Sequence, residues 1–140
     1  MKRQIVLDTG PLVALLNRRD SLHEWARHLV ASLQPPFLTC EAVLSEACFL
    51  VGALPDGTAQ VMELLERGLL KVSFQLNEEL ARISQLLARY ASVPMSFADA
   101  CLVRLAEKHH DASVFTADRD FNIYRMHGRQ IIPTLMPPYE

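Results

Sequence analysis

Apolar positions along the chain fall into short continuous runs that alternate with longer stretches where they recur every three or four residues. Lys2–Leu7 reads as a short buried strand (QIVL) ending at Asp8-Thr9-Gly10, and PLVALLNRR from Pro11 reads as a short helix. Ser21 and Glu24 form a capping-box pattern that opens an amphipathic helix to about Leu33. Pro35-Pro36 ends that helix, Phe37–Thr39 is a second short strand, and Glu41 to about Ala53 is a helix with a wide apolar face. Asp56 or Gly57 opens a further helix to Arg67, which Gly68 stops. Leu69–Leu76 (LLKVSFQL) alternates as a third strand, and Asn77–Tyr90 is a helix capped by Asn77. Ser96 caps the helix FADACLVRLAEKHH, Ser113–Thr116 (SVFT) is a fourth strand, and Gln130–Leu135 is the candidate fifth. Strands that alternate with helices predict an α/β domain with a mostly parallel sheet covered on both faces.

Composition narrows the picture. Half of the 140 residues are hydrophobic and 21% are charged, which excludes intrinsic disorder. No repeat, linker or composition break divides the chain, so residues 1–140 read as a single domain. No apolar run approaches the roughly 20 residues of a membrane span, and MKRQIVLDTG has too short an apolar stretch for a signal peptide. Cys40, Cys48 and Cys101 sit among apolar neighbours without a C-x-x-C pair; they read as reduced thiols in a cytoplasmic protein. A net charge of −2 excludes wholesale polyanion binding.

Where the acids lie matters more than their sum. In parallel sheets, ligands sit beyond the carboxyl ends of the strands. Asp8 and Asp118 follow the first and fourth strands, Asp99 lies in the first turn of the Ser96 helix, and Glu46 lies about 7–8 Å along the helix from Glu41. All four are placed for the same sheet edge. Each also has a bland reading: Asp8 as a helix cap, Asp99 as the acid of a capping box, Asp118 as an Asx-turn, Glu46 as a solvated mid-helix residue. Gathered together, four carboxylates repel one another unless a cation joins them. An all-oxygen set favours a hard ion such as Mg2+ or Mn2+, and such a site suits phosphodiester cleavage.

At this point the residues resemble a known family. IVLDTGPLVALLNRRDSLHEWA, LTCEAVLSEACFL, SFADACLVRLAEKH and VFTADRDFNIYR are together similar to the PIN-domain family, in particular to the VapC-type toxin ribonucleases of prokaryotic toxin–antitoxin pairs. The resemblance covers essentially the whole chain. It implies a three-layer α/β/α sandwich with strand order 3-2-1-4-5 and Mg2+- or Mn2+-dependent endoribonuclease activity. Carried over position by position, it implies metal ligation by Asp8 and Asp99. Asp118 would complete the site directly or through water, and Glu46 would hold metal-bound water or a second metal. Thr9 and Thr116 would orient carboxylates. Asp120 is the confounder for Asp118, and Glu41 that for Glu46. Many relatives carry another acid where this chain has Ser96. The resemblance also implies a homodimer, with Leu29, Leu33, Leu64 or Leu65 as candidate pairing surface. A small antitoxin is implied as well, which would block the site by inserting Arg or Lys among the carboxylates.

Setting the four acids aside leaves 14 cationic against 12 anionic residues, and 11 of the cations are Arg, which suits phosphate contact. Arg18, Arg19, Arg119, Arg125 and Arg129 are placed near the top-edge loops or the C-terminal turn, with Arg119 the preferred RNA-backbone candidate. Ordinary surface arginine is the alternative for each. His23 and His28 are five apart, about 140° around a helix, and do not make an H-E-x-x-H zinc pair. His109-His110 reads as dipole complement at a helix end. No serine-hydrolase, P-loop or dinucleotide motif is present. Receiver and haloacid-dehalogenase-type folds fit poorly, since Asp8-Thr9-Gly10 delivers one acid and lacks D-x-D. A non-catalytic PIN-like binding module, or a housekeeping nuclease without an antitoxin, is the alternative function.

Overall fold

The computed structural model describes residues 3–138, so Lys2 of the expected first strand lies outside the described residues. The elements are β1 (Gln4–Leu7), α1 (Thr9–Leu16), α2 (His23–Ser32), β2 (Phe37–Thr39), α3 (Glu41–Val51), α4 (Gly57–Glu66) and β3 (Leu70–Val72). They continue as α5 (Leu80–Arg89), α6 (Phe97–Lys108), β4 (Ala112–Phe115), β5 (Arg125–Met126), β6 (Gln130–Ile131) and β7 (Thr134–Leu135). Five strands form one parallel sheet in the order β3-β2-β1-β4-β7. Counted along the sheet, this is the expected 3-2-1-4-5 arrangement.

The period-2 alternation of strand side chains splits the interior in two. Val6, Leu38 and Val114 point into a core closed by Ile83 and Leu86 of α5 and by Leu102 and Leu105 of α6. Ile5, Leu7, Phe37, Leu70 and Phe115 point the other way, against Leu12 and Ala14 of α1, Ala26 of α2 and Leu64 of α4. Continuous apolar strands are what a sheet covered on both faces requires.

Several local expectations are corrected. The run Gln130–Leu135 is two strands: Gln130–Ile131 pairs antiparallel with Arg125–Met126, and only Thr134–Leu135 joins β4. Pro133 lies between them; it has no N–H to donate, and its carbonyl instead accepts from Val114. The Ser21 capping box does not form. α2 has no side-chain cap; Asp20 Oδ1 accepts from the Leu22 N–H at 2.9 Å in the turn before the helix, and Glu24 pairs with Arg27. Asn77 falls in a 3-10 turn, Leu76–Glu78, and α5 starts at Leu80 after Glu79, whose carboxylate is engaged by Arg104 and Lys108. The third strand stops at Val72. Leu29, Leu33, Leu64 and Leu65 are half-buried, packed against the second core. Exposed apolar side chains include Phe49 and Leu50 on α3 and Met62 on α4.

Two glycines carry geometry. Gly68 takes φ +76 at the end of α4, a left-handed stop. A side chain at Gly57 would place its Cβ 2.0 Å from the Val51 carbonyl oxygen, so only glycine lets α4 start this close to the end of α3. No helix among the described residues is long and apolar enough to cross a membrane.

Candidate active site

The carboxyl ends of β1 and β4 deliver two linked segments. β1 continues its ladder to Asp8, whose N–H donates to the Phe115 carbonyl at 3.0 Å. There the chain turns into α1, and Asp8 caps it: Oδ1 accepts from the Thr9 N–H at 2.7 Å. Its other oxygen, Oδ2, accepts from the Thr116 hydroxyl at 2.7 Å. Thr116 sits just past β4, and its Oγ1 in turn accepts from the Asp118 N–H at 2.9 Å. Asp118 Oδ1 accepts from the Asp120 N–H at 2.9 Å, an Asx-type bond that starts the 3-10 turn Arg119–Asn122. The cap and turn readings of Asp8 and Asp118 are therefore correct, and they hold together with a place in the site.

α6 brings the third acid. Ser96 Oγ accepts from the Asp99 N–H at 3.0 Å, fixing the first turn with Asp99 facing the sheet end. Asp99 Oδ2 accepts from the Tyr124 hydroxyl at 2.8 Å. Tyr124 is fully buried and edge-on to both Tyr90 and Phe121, so its hydroxyl has a fixed position. Sequence reasoning missed this residue; the segment VFTADRDFNIYR drew attention for its acids, Thr116 and its arginines, and not for its tyrosine. Glu46, on the exposed side of α3, comes within 3.5 Å of the Thr9 hydroxyl, which donates to Oε2.

Asp8, Thr9, Glu46, Asp99, Asp118 and Asp120 thus line one cleft of about 480 Å3, together with Gly10, Leu50, Pro94, Ser96 and Ala117. Glu41 is not on its lining, whereas Asp120 is. Among the described residues no Lys, Arg or His lines the cleft. The consequence is electrostatic. Burial, with the nearby Asp99 and Asp118 adding to it, pushes the Asp8 carboxyl up to about 6, against the partial relief of the Thr116 and Thr9 hydrogen bonds. Asp99 is likewise raised, by burial first and then by Asp118, with Tyr124 acting in the opposite sense. Among the described residues no three acid, histidine or cysteine side chains are drawn tightly enough together to grip one ion unaided.

The arginine expectations divide. Arg125 is consumed locally, its Nη1 donating to the carbonyls of Asn122, Ile123 and Tyr124. Arg119 is exposed on the 3-10 turn and outside the cleft lining, and Arg129 is exposed in the turn between β5 and β6. Arg18 and Arg19 follow the C-terminal end of α1, away from the strand ends where they were expected. His23 Nδ1 bonds the Ala14 carbonyl at 2.7 Å, which ties it to α1 and away from any zinc pair with His28. Cys40 and Cys101 are buried, Cys48 is half-buried, and all three are free thiols.

Comparison of the sequence with curated proteins gives no match. Among solved structures, the fold is similar to that of Mycobacterium tuberculosis VapC20, described as a sarcin–ricin loop cleaving toxin. The TM-score is 0.77 at 24% identity, covering 86% of this chain and 94% of that one. The PIN domain family model matches residues 5–125, most of the chain and every acid of the cleft. The chain belongs to the PIN domain family.

Proposed function

We propose that this chain is a metal-dependent endoribonuclease, the toxin of a toxin–antitoxin pair. The observation that carries the reading is a cleft of convergent carboxylates, two of them buried and raised in pKa, with no cation among its described lining residues. The donor set fits Mg2+ or Mn2+: it is all oxygen, it bears excess negative charge, and an ion that keeps several waters needs only one or two direct carboxylates. Asp8 and Asp99 would hold the ion, with Asp118 completing the site directly or through water. Such an ion lowers the pKa of bound water, polarises the phosphoryl oxygen and orients the leaving group.

The chain's own residues set the rest. Thr116 and Tyr124 each occupy one carboxylate oxygen of Asp8 and Asp99, which fixes the planes of both groups. Thr9 occupies Glu46 Oε2, leaving Oε1 to hold the attacking water and accept its proton. Water oxygen bonds to phosphorus, the P–O3′ bond breaks, and a proton goes to the departing oxygen. The products are a 5′-phosphate and a 3′-hydroxyl.

The VapC20 likeness supports RNA as substrate and a small antitoxin as partner, whose Arg or Lys would substitute for the ion's charge among the carboxylates. A second copy of this chain fits the exposed Phe49, Leu50 and Met62, giving the homodimer. Free thiols and an RNA substrate fit the cytoplasm.

The test is cleavage of single-stranded RNA by the purified chain with Mn2+, with EDTA, and after Asp99→Asn, alongside thermal melting of each. The reading expects cleavage and a metal-induced rise in Tm from the unsubstituted chain alone. RNA binding without cleavage in all three, and no metal shift, makes the chain a non-catalytic binding module instead.

A further inference from the structure

An acidic cleft that must hold a polyanion needs cations close by, because phosphate neutralisation supplies most of the affinity for a nucleic acid strand. No described cation lines the acid cleft. A second, larger cleft of about 920 Å3 is lined by Arg18, Arg19 and Arg27 together with Leu16, Leu54 and Gln60.

Both clefts draw lining residues from α1 and from the chain around the end of α3. Thr9 lines the acid cleft and Leu16, seven residues on, lines the second. Leu50 of α3 lines the first, and Leu54, in the turn that follows α3, lines the second. Within α1 a spacing of seven residues returns to one helix face about 10 Å further along, so the second cleft lies beyond the first along α1.

The loop that carries Arg18 and Arg19 is braced at both ends. Asn17 Oδ1 accepts from the Arg19 N–H at 3.1 Å, and Asp20 Oδ1 from the Leu22 N–H at 2.9 Å. Asp20, the nearest acid in sequence, is thereby turned to the backbone. The ion pairs among the described residues involve Arg27, Arg82, Arg104 and Lys108, but neither Arg18 nor Arg19. Both are exposed. Arg27 is held only by the exposed Glu24, a pairing that a phosphate can displace at little cost.

We infer that the Arg18–Arg19–Arg27 cleft binds the phosphate backbone of the RNA strand whose scissile bond lies in the acid cleft. This rests on the ribonuclease reading above and extends it. Contacts from these arginines to phosphate set affinity and position rather than sequence choice.

The test uses the full chain with Asp99→Asn, which silences cleavage, and fluorescently labelled single-stranded RNA titrated between 50 and 200 mM salt. Arg18→Ala with Arg19→Ala is expected to weaken binding about tenfold or more. The salt slope should fall by roughly 0.7 for each phosphate that the variant no longer neutralises. Arg18→Lys with Arg19→Lys should recover most of the slope, since Lys keeps the point charge. Arg67→Ala, an exposed arginine at the end of α4, should change neither quantity. An unchanged Tm confirms that the alanine variant is folded.

Affinity and slope equal to those of the parent overturn the inference and hand the cleft to another partner, such as an acidic protein segment. An equal loss from Arg67→Ala overturns it too, because the effect would then be net charge. If the native chain cleaves RNA while the alanine pair leaves binding untouched, only this inference falls. If the native chain neither binds nor cleaves RNA, the ribonuclease reading falls with it.

Discussion

Two groups of acids in this small domain meet opposite fates. Glu79 and Glu107, on the α5–α6 side, are buried but answered: Glu79 by Arg104 and Lys108, Glu107 by Arg82, Arg104 and the His127 N–H. Both are held below the usual glutamate range. For Glu79 the cause is Lys108 and then Arg104; for Glu107 burial pushes upward, and Arg82 with the other partners outweighs it. Asp8 and Asp99, at the strand ends, are equally buried but meet hydroxyls, backbone N–H groups and one another, and both are raised. A carboxylate that stabilises a fold is given its cation by the fold. The acids of the cleft are left short of one, and that shortfall is what makes them a candidate site.

The contrast is open to attack at several points. The largest effect expected is on activity: Asp99→Asn should lower RNA cleavage by about 10³, since the ion's Lewis-acid role carries several kcal/mol of the barrier. A variant that still cleaves at the native rate would remove Asp99 from the site. On the answered side, Glu79→Ala should lower stability by about 2 kcal/mol, less than a fully buried pair because Arg104 and Lys108 are partly exposed. Denaturant unfolding measures it, and cleavage by the remaining folded protein should be unchanged.

The pH dependence separates the two groups by sign. A buried acid whose pKa is raised costs stability as pH climbs from the unfolded value to the folded one. In metal-free protein, Asp8 should therefore erode stability between pH 3.8 and about 6. Asp8→Asn should remove that slope and raise stability at pH 8 by roughly 1–3 kcal/mol. Glu79 and Glu107, being depressed, contribute stability above pH 4.5 that is lost as pH falls. Thermal melts from pH 3 to 8 without metal read both limbs, and a variant that flattens the acid limb as well would contradict the assignment. The smallest effect is that of Tyr124→Phe. It should weaken Mn2+ binding about tenfold by freeing the Asp99 carboxylate to turn, and the metal-induced rise in Tm should shrink accordingly.

Much of this was legible in the chain. Apolar runs such as QIVL show a strand covered on both faces, and strict alternation then assigns Val6 to one core and Ile5 and Leu7 to the other. Asp8, Asp99 and Asp118 were placed correctly because each lies within a residue or a single turn of a strand or helix end, where sequence position fixes spatial position. Tyr124 was missed because a buried tyrosine looks like core until the partner of its hydroxyl is known. Arg18 and Arg19 were misplaced because a loop leaves a helix wherever the helix happens to end, and α1 carries them down its whole length. The Ser21 cap failed because α2 starts at His23, which puts Leu22 in the cap position, after a turn that Asp20 closes on the Leu22 N–H.

The bond between Asp8 and Thr116 joins residues 108 positions apart. β1 is the middle strand of the sheet, yet one of its two neighbours, β4, is made from residues 112–115. A chain that emerges N-terminus first therefore exposes Asp8 long before its cleft can exist. While β4 and the segment after it remain in the ribosomal tunnel, Asp8 has no Thr116 and Asp99 has no Tyr124. The order of synthesis therefore completes the cleft only once the segment that carries Thr116 and Tyr124 is free.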